Sequence, residues 1–259
     1  MDITLHESER IDDLLAHDLK IIQSHEVFAF SMDAVLLAHF VSIPKKGKMI
    51  DLCSGNGVIP LLMSLHTDAE IYGVEIQERL VSMANRSIQL NGLSNQIKMI
   101  LGDLKNSPSE LGKGVFDLVT VNPPYLPLSE HKNINPHVAI ARHELYTTLN
   151  EVIETSSQLL KVGGRFAMVH RPFRLVDIIH SLREAKIEPK KIRFVHPRKD
   201  KEANMVLIEG NKYGGKELHV LPPLIVYDEN GQYTDEIYQI YNENNFTFDS
   251  RKQKKVDMD

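Results

Sequence analysis

The chain has 259 residues, 42% hydrophobic and 25% charged, which supplies a sizeable globular core and excludes disordered, collagen-like and low-complexity classes. Its one cysteine, Cys53, excludes a disulfide framework, a cysteine zinc cluster and a CxxC redox pair, and no apolar run nears the roughly 18 residues of a membrane span. Net charge is −5 but uneven: residues 161–201 hold 12 basic against 4 acidic side chains, whereas residues 1–160 hold 12 against 20.

The first residues, MDITLHESERIDD, are acidic and lack the basic and apolar regions of a secretory signal, so a soluble cytoplasmic protein is expected. Ser31–Val41 reads as a helix with Ser31 as N-cap and Asp33 in the first turn. Lys48–Cys53 is a buried-strand pattern, and Gly57–Leu65 continues as an apolar helix. Glu70–Glu75 is a second strand. Residues 76–91 then carry Ile76, Leu80, Met83, Ala84 and Ile88 at helical spacing, with Asn91-Gly92 as a stop. Gln96–Leu101 and Val115–Val121 are further strands. Residues 145–160 form an amphipathic helix that should end at Gly163-Gly164. Arg165–His170, 191–196 and 204–209 complete seven strands, with a helix over 173–185.

Strand and helix alternate over roughly 140 residues, which implies a doubly wound, mostly parallel sheet with helices on both faces. Only PRKDKEA separates the last two strands, so they should pair as an antiparallel edge hairpin. Residues 1–47 are expected to cover the ligand site, 48–212 to form the core, and 213–259 to be an extension ending in a charged tail with KQKK.

The loop Asp51-Leu52-Cys53-Ser54-Gly55-Asn56-Gly57 joins the strand at 48–53 to a helix. Its glycines allow close backbone approach to a ligand at a helix N-terminus. Glu75, 18 residues past Gly57, ends the next strand, where a carboxylate can accept ribose hydroxyls. Asp103 follows the third strand, within reach of an adenine. The nicotinamide fingerprint wants a third glycine where Pro60 stands, and Asp51 suits a cationic ligand better than a pyrophosphate.

The strand ending at Val121 runs into Asn122-Pro123-Pro124-Tyr125. Two prolines remove two backbone donors, leaving carbonyls that only accept, and Asn122 adds an amide oxygen. Such a rigid acceptor pair suits an amino group, and Tyr125 offers a flat face for a planar substrate.

The spacing Asp51, Gly55, Gly57, Glu75 and Asp103 resembles class I S-adenosylmethionine-dependent methyltransferases, a Rossmann-like family with an antiparallel edge hairpin. The resemblance implies S-adenosylmethionine as cofactor and S-adenosylhomocysteine as product. It assigns Asp51, Cys53, Gly55, Gly57, Glu75, Ile76, Asp103, Leu104 and Asn122 to the cofactor. Asn-Pro-Pro-Tyr is similar to the signature of methyltransferases that act on exocyclic amines of bases or on glutamine side chains. By that likeness Asn122, Pro123 and Tyr125 are catalytic, and Pro124, Tyr125 and Arg142 bind substrate.

Gln23, Phe28–Leu37, Ala141-Arg142-His143-Glu144 and Leu221–Tyr227 resemble the tRNA (adenine-N6)-methyltransferases that act on a valine tRNA beside its anticodon. That resemblance implies an RNA partner, with the basic segment Arg171–Lys201 as its footprint. It also sets Phe30 and Asp33 near the cofactor. Glutamine N5-methylation of a protein and guanine-N2 methylation of ribosomal RNA are the alternatives. The glutamine family carries a larger helical N-terminal domain, which the 47 residues before Lys48 do not match. Residues 126–140 form a long loop of the kind that serves as a lid. His131, His137 and His143 near it fit no standard metal spacing, so no metal is expected.

Overall fold

The computed structural model describes residues 3–14, 18–27, 31–124 and 147–241. Its main sheet has seven long strands: β3 (Lys48–Leu52), β4 (Glu70–Glu75), β5 (Ile97–Leu101), β6 (Phe116–Val121), β7 (Leu160–His170), β8 (Ile187–His196) and β9 (Met205–Lys212). Their spatial order is β5-β4-β3-β6-β7-β9-β8. All pairings from β5 to β7 are parallel, and β9 lies antiparallel between β7 and β8. The edge hairpin forms as expected, with its second strand inserted inward. Two-residue strands β10 (His219–Val220) and β11 (Leu224–Ile225) then cover β8.

Helices α1 (Met32–Phe40), α2 (Val58–Ser64), α3 (Glu78–Leu90) and α7 (Asp235–Tyr241) contribute to one apolar layer. The other face is packed by α5 (Leu149–Leu159) and α6 (Leu175–Glu184), with the short α4 (Ser107–Leu111) near them. The strands read as near-continuous apolar runs because both faces are covered. None of the described helices is long and apolar enough to cross a membrane.

Two local expectations change, and one element is added that the sequence reading did not include. Gly163-Gly164 does not terminate a helix. The chain passes from α5 directly into β7 at Leu160, α5 being set at its start by a Thr148–Glu151 capping box. Both glycines lie within β7, beside a register shift against β6. A Cβ on Gly164 would sit 3.1 Å from the Phe116 carbonyl, so close strand approach, rather than helix capping, requires it. Second, Ser31 precedes α1, but its hydroxyl bonds to Asp33 and makes no cap to the helix backbone. The added element is an antiparallel hairpin within residues 3–27, β1 (Glu9–Asp13) and β2 (Lys20–Ser24). Leu145, Phe28–Phe30 and the KQKK tail lie outside the described residues.

The hairpin is fastened along α3. Arg86 holds the carboxylate of Glu9 at 2.5 and 2.7 Å, which keeps that acid at about 2. The Lys20 and Ile22 amides donate to Asn91 and Ser87 of the α3 segment at 2.8 and 2.9 Å.

Candidate cofactor and substrate site

The chain winds from β3 toward β5 on one side and from β6 toward β7 on the other. The direction reverses between β3 and β6, and open α/β sheets bind ligands at the carboxyl ends of strands beside such a reversal. Both singled-out segments lie there. Leu52 pairs with Val121, so the loop starting at Cys53 emerges beside Asn122.

Left-handed backbone at Cys53, Gly55 and Gly57 (φ 57°, 57° and 83°) turns the chain sharply into α2. Space beside Gly55 is open where a Cβ would sit. Glu75 fixes the loop from β4: its carboxylate accepts from the Gly55 amide at 2.9 Å and from the Gln77 amide at 3.0 Å. Burial pushes its pKa up, and those backbone donors oppose the shift. The Ile76 amide and the Gln77 side chain also bond to it, so the carboxylate is held firmly where a ribose hydroxyl could meet it.

Asp51 is fully buried. One oxygen accepts from the Thr120 hydroxyl across the β3–β6 pair at 2.7 Å, and the other completes no hydrogen bond, with the Ser54 hydroxyl as its nearby donor. Burial raises its pKa to about 7, with the Thr120 and Ser54 hydroxyls pulling down and the Glu75 charge adding to the rise. The orphaned oxygen, the open space at Gly55 and the acceptor pair at Glu75 fit a cationic adenosine ligand. Cys53 is half-buried, and burial holds its thiol well above the usual range, so it stays protonated.

Ile76 leaves an apolar side chain 39% exposed directly after Glu75, as an adenine face requires. Leu104 packs its side chain into the core among Ile50 and Val121. Asp103 caps the short turn Leu104–Asn106 through the Lys105 amide at 3.0 Å, and it pairs with the Lys105 ammonium at 3.3 Å. Asn122 and Pro124 are half-buried and Pro123 is buried at the end of β6. Tyr125, Arg142, His143, the 126–140 loop with its histidines, and Phe30 lie outside the described residues. Among the described residues no cluster of His, Cys, Asp or Glu is arranged to hold a metal.

Four contributors escaped sequence reasoning. Gly73 in β4 lets Met99 and Ser54 approach, since a Cβ would meet them at 2.4 and 2.8 Å. Thr120 was readable only as an interior strand residue. Asn56 is buried and donates to the Ile22 carbonyl at 3.3 Å, tying β2 to the glycine loop. At the end of β7, His170 is buried with Nδ1 accepting from the Arg171 amide at 2.8 Å. Burial, with Arg174 and Arg171 nearby, lowers its pKa to about 4, leaving a neutral ring.

The basic segment divides. Lys191 reaches buried Glu209 at 3.2 Å, Arg193 bonds Glu236 at 2.7 Å and Arg183 bonds Glu188 at 3.2 Å, so these charges serve the fold. The β7 end, where Arg174 pairs with Asp177 at 3.0 Å and Arg171 bonds the Asn204 carbonyl at 2.8 Å, and the β8–β9 loop with Arg198 and Lys199, stand on the same rim as Asn122. Phe173 is 67% exposed there.

A family model described as "Methyltransferase domain" matches residues 43–244. A Shewanella sp. (strain W3-18-1) protein named tRNA1(Val) (adenine(37)-N6)-methyltransferase is 24% identical over 180 residues, covering 69% of this chain and 75% of the relative. A Corynebacterium glutamicum release factor glutamine methyltransferase is 31% identical over 135 residues, 49% of this chain and 47% of the relative. Among solved structures, an Agrobacterium tumefaciens protein described as a predicted O-methyltransferase superposes with a TM-score of 0.66 at 22% identity. That match covers 82% of this chain and 96% of the other, and it shows the same fold.

Proposed function

The chain belongs to the methyltransferase-domain family and takes its methyl group from S-adenosylmethionine, and on that premise we propose that it methylates adenine N6 in tRNA near the anticodon. The observation that carries the reading is the position of Asn122-Pro123-Pro124, beside the glycine loop at the sheet's reversal point. Residues 1–47 act as the cover of that crevice, 48–212 as the catalytic core and 213–259 as an extension. The setting is the cytoplasm.

Bound S-adenosylmethionine supplies an electrophilic methyl carbon on a sulfonium. Glu75 would hold the ribose, Ile76 would pack the adenine, and Asp51 would face the cationic end. The Asn122 side-chain oxygen and the Pro123 carbonyl accept the two N–H groups of the target amine. That geometry directs the nitrogen lone pair at the methyl carbon. Transfer would place the methyl group on that nitrogen, leave S-adenosylhomocysteine as product and release the amine proton to solvent. Positioning of this kind can supply a large part of the barrier reduction without a strong base. Tyr125 stacks on the base, which must leave its own stack to enter. Arg142 is a further substrate-binding residue on the family resemblance.

The name of the Shewanella relative and the basic rim at Arg171, Arg174, Arg198 and Lys199 support RNA over protein. The glutamine reading has one observation in its favour, the release-factor relative matching half of this chain. Labelled S-adenosylmethionine offered to unmodified total RNA and, separately, to release factors decides between them. Label in RNA that Asn122→Ala abolishes supports the proposal. Label confined to protein overturns it.

A further inference from the structure

A buried polar atom without a partner is costly, and folded proteins carry few of them. Among the described residues, the buried side-chain atoms in this state are Gln23 Oε1, Asp51 Oδ2, Ser54 Oγ and Thr147 Oγ1. Asp51 and Ser54 belong to the strand end and loop that carry the glycines. Gln23 comes from β2, far away in sequence, next to Ile22, whose carbonyl accepts from Asn56 of that loop.

Its placement follows from three contacts. β2 runs along α3 in the opposite direction, with Lys20 near Asn91 and Ser24 near Arg79. Since α3 starts just after Glu75, the Ser24 end of β2 lies level with the carboxyl end of β4. The carbonyl of Ile22, next to Gln23, accepts from Asn56 of the glycine loop at 3.3 Å. Side chains alternate along a strand. Ile22 packs with Leu80 and Met83 of α3, whereas Ile21 packs in the layer built on α1 and α2. Gln23 shares the Ile21 side of the strand, the side that joins the layer of α1 and α2.

The amide orientation is fixed chemically. Gln23 Nε2 lies 2.6 Å from Asp12 Oδ2, and a carboxylate only accepts, so the nitrogen must face it. Arg10 holds Asp12 in turn at 2.9 Å. The amide oxygen is therefore turned away from Asp12, in a residue only 6% exposed. A glutamine serving only to pin the hairpin would not need a buried, empty acceptor.

We propose that Gln23 Oε1 binds the ammonium group at the amino-acid end of S-adenosylmethionine, sharing it with Asp51 Oδ2. An ammonium group donates three hydrogen bonds and accepts none, which matches two orphaned acceptors. Asp12 is the positioning residue. The inference rests on the cofactor lying over the glycine loop, and not on the identity of the methyl acceptor.

Isothermal titration of the full chain with S-adenosylhomocysteine and with 5′-methylthioadenosine tests it, because the second ligand keeps the nucleoside and thioether but lacks the amino-acid end. Gln23→Leu should weaken S-adenosylhomocysteine at least about tenfold and leave methylthioadenosine within about twofold. Gln23→Met, of nearly equal length, should repeat that pattern, with thermal melting showing both variants folded although each loses the Asp12 bond along with the orphaned acceptor. Asp12→Ala should show the same selective loss and Asp12→Asn should restore binding, since asparagine still accepts from Gln23. Unchanged S-adenosylhomocysteine affinity in Gln23→Leu and Gln23→Met would overturn the proposal, as would equal loss of both ligands. A parent chain that binds neither ligand would instead overturn the cofactor placement, a separate failure.

Discussion

Along the carboxyl rim of the sheet, the half built on β3, β4 and β5 presents Asp51, Glu75 and Asp103, whereas the half built on β7 and β8 presents Arg171, Arg174, Arg198 and Lys199. The acidic half is largely buried and held by backbone donors: Glu75 closes on the Gly55 and Gln77 amides. The basic half is built from longer side chains and exposes Phe173. A small cationic nucleoside needs a dry, preorganised pocket, and a polyanion needs an open, wetted surface. The Asn-Pro-Pro segment sits at the seam. The two halves should accordingly fail separately when altered.

The seam itself should give the largest effect. Asn122→Ala should lower turnover at least about a hundredfold, from loss of positioning, while S-adenosylhomocysteine affinity stays within about threefold. Labelled transfer read beside calorimetry checks both halves of that statement, and a comparable loss of cofactor binding would erase the seam. Glu75→Ala should come next. It orphans two backbone donors as well as removing a ribose acceptor, so cofactor affinity should fall about 30-fold or more with RNA affinity intact. On the basic side, the double variant Arg198→Ala, Lys199→Ala should weaken RNA binding and reduce the slope of log affinity against log salt by about 1 per lost phosphate contact. Its cofactor affinity should equal the parent's.

The halves should also differ in acid and base. Burial raises Asp51 from an ordinary 3.8 to about 7, so its contribution to stability is full below its unfolded pKa and is lost as pH rises through about 7. Burial lowers His170 from 6.5 to about 4, so its contribution is full above its unfolded pKa and is lost as pH falls through about 4. Urea unfolding of the free protein between pH 4 and 8 should show the decline toward pH 8 flattened in Asp51→Asn and the decline toward pH 4 flattened in His170→Gln. The smallest effect is expected at Cys53, whose φ of 57° suits glycine. Cys53→Gly should change stability by no more than about 1 kcal/mol, since relief of left-handed strain offsets lost packing and added chain entropy.

Much of this was legible in the sequence because it rests on local rules. Period and punctuation locate the strands of the sheet, and Gly55, Gly57 and Glu75 announce a ligand crevice by spacing alone. The β1–β2 hairpin was not legible. Its strands are half-polar, and its stability comes from Arg86, Ser87 and Asn91, residues more than 60 positions away. Gly163-Gly164 misled for a related reason: a double glycine marks a helix end or a close strand approach equally well, and only the partner strand decides. Footprint and fold were likewise mixed in the basic segment, since pairing of Lys191 with Glu209 depends on β8 lying beside β9. The roles of Gln23 and Asp12 needed atoms, because an orphaned acceptor has no signature in composition.

The central claim is that the seam between these halves methylates adenine N6. The direct measurement is mass-spectrometric nucleoside analysis of an unmodified valine tRNA transcript incubated with deuterium-labelled S-adenosylmethionine and either the parent chain or Asn122→Ala. Labelled N6-methyladenosine is expected with the parent and none with the variant. Label in N2-methylguanosine, or equal N6-methyladenosine from both proteins, would contradict it.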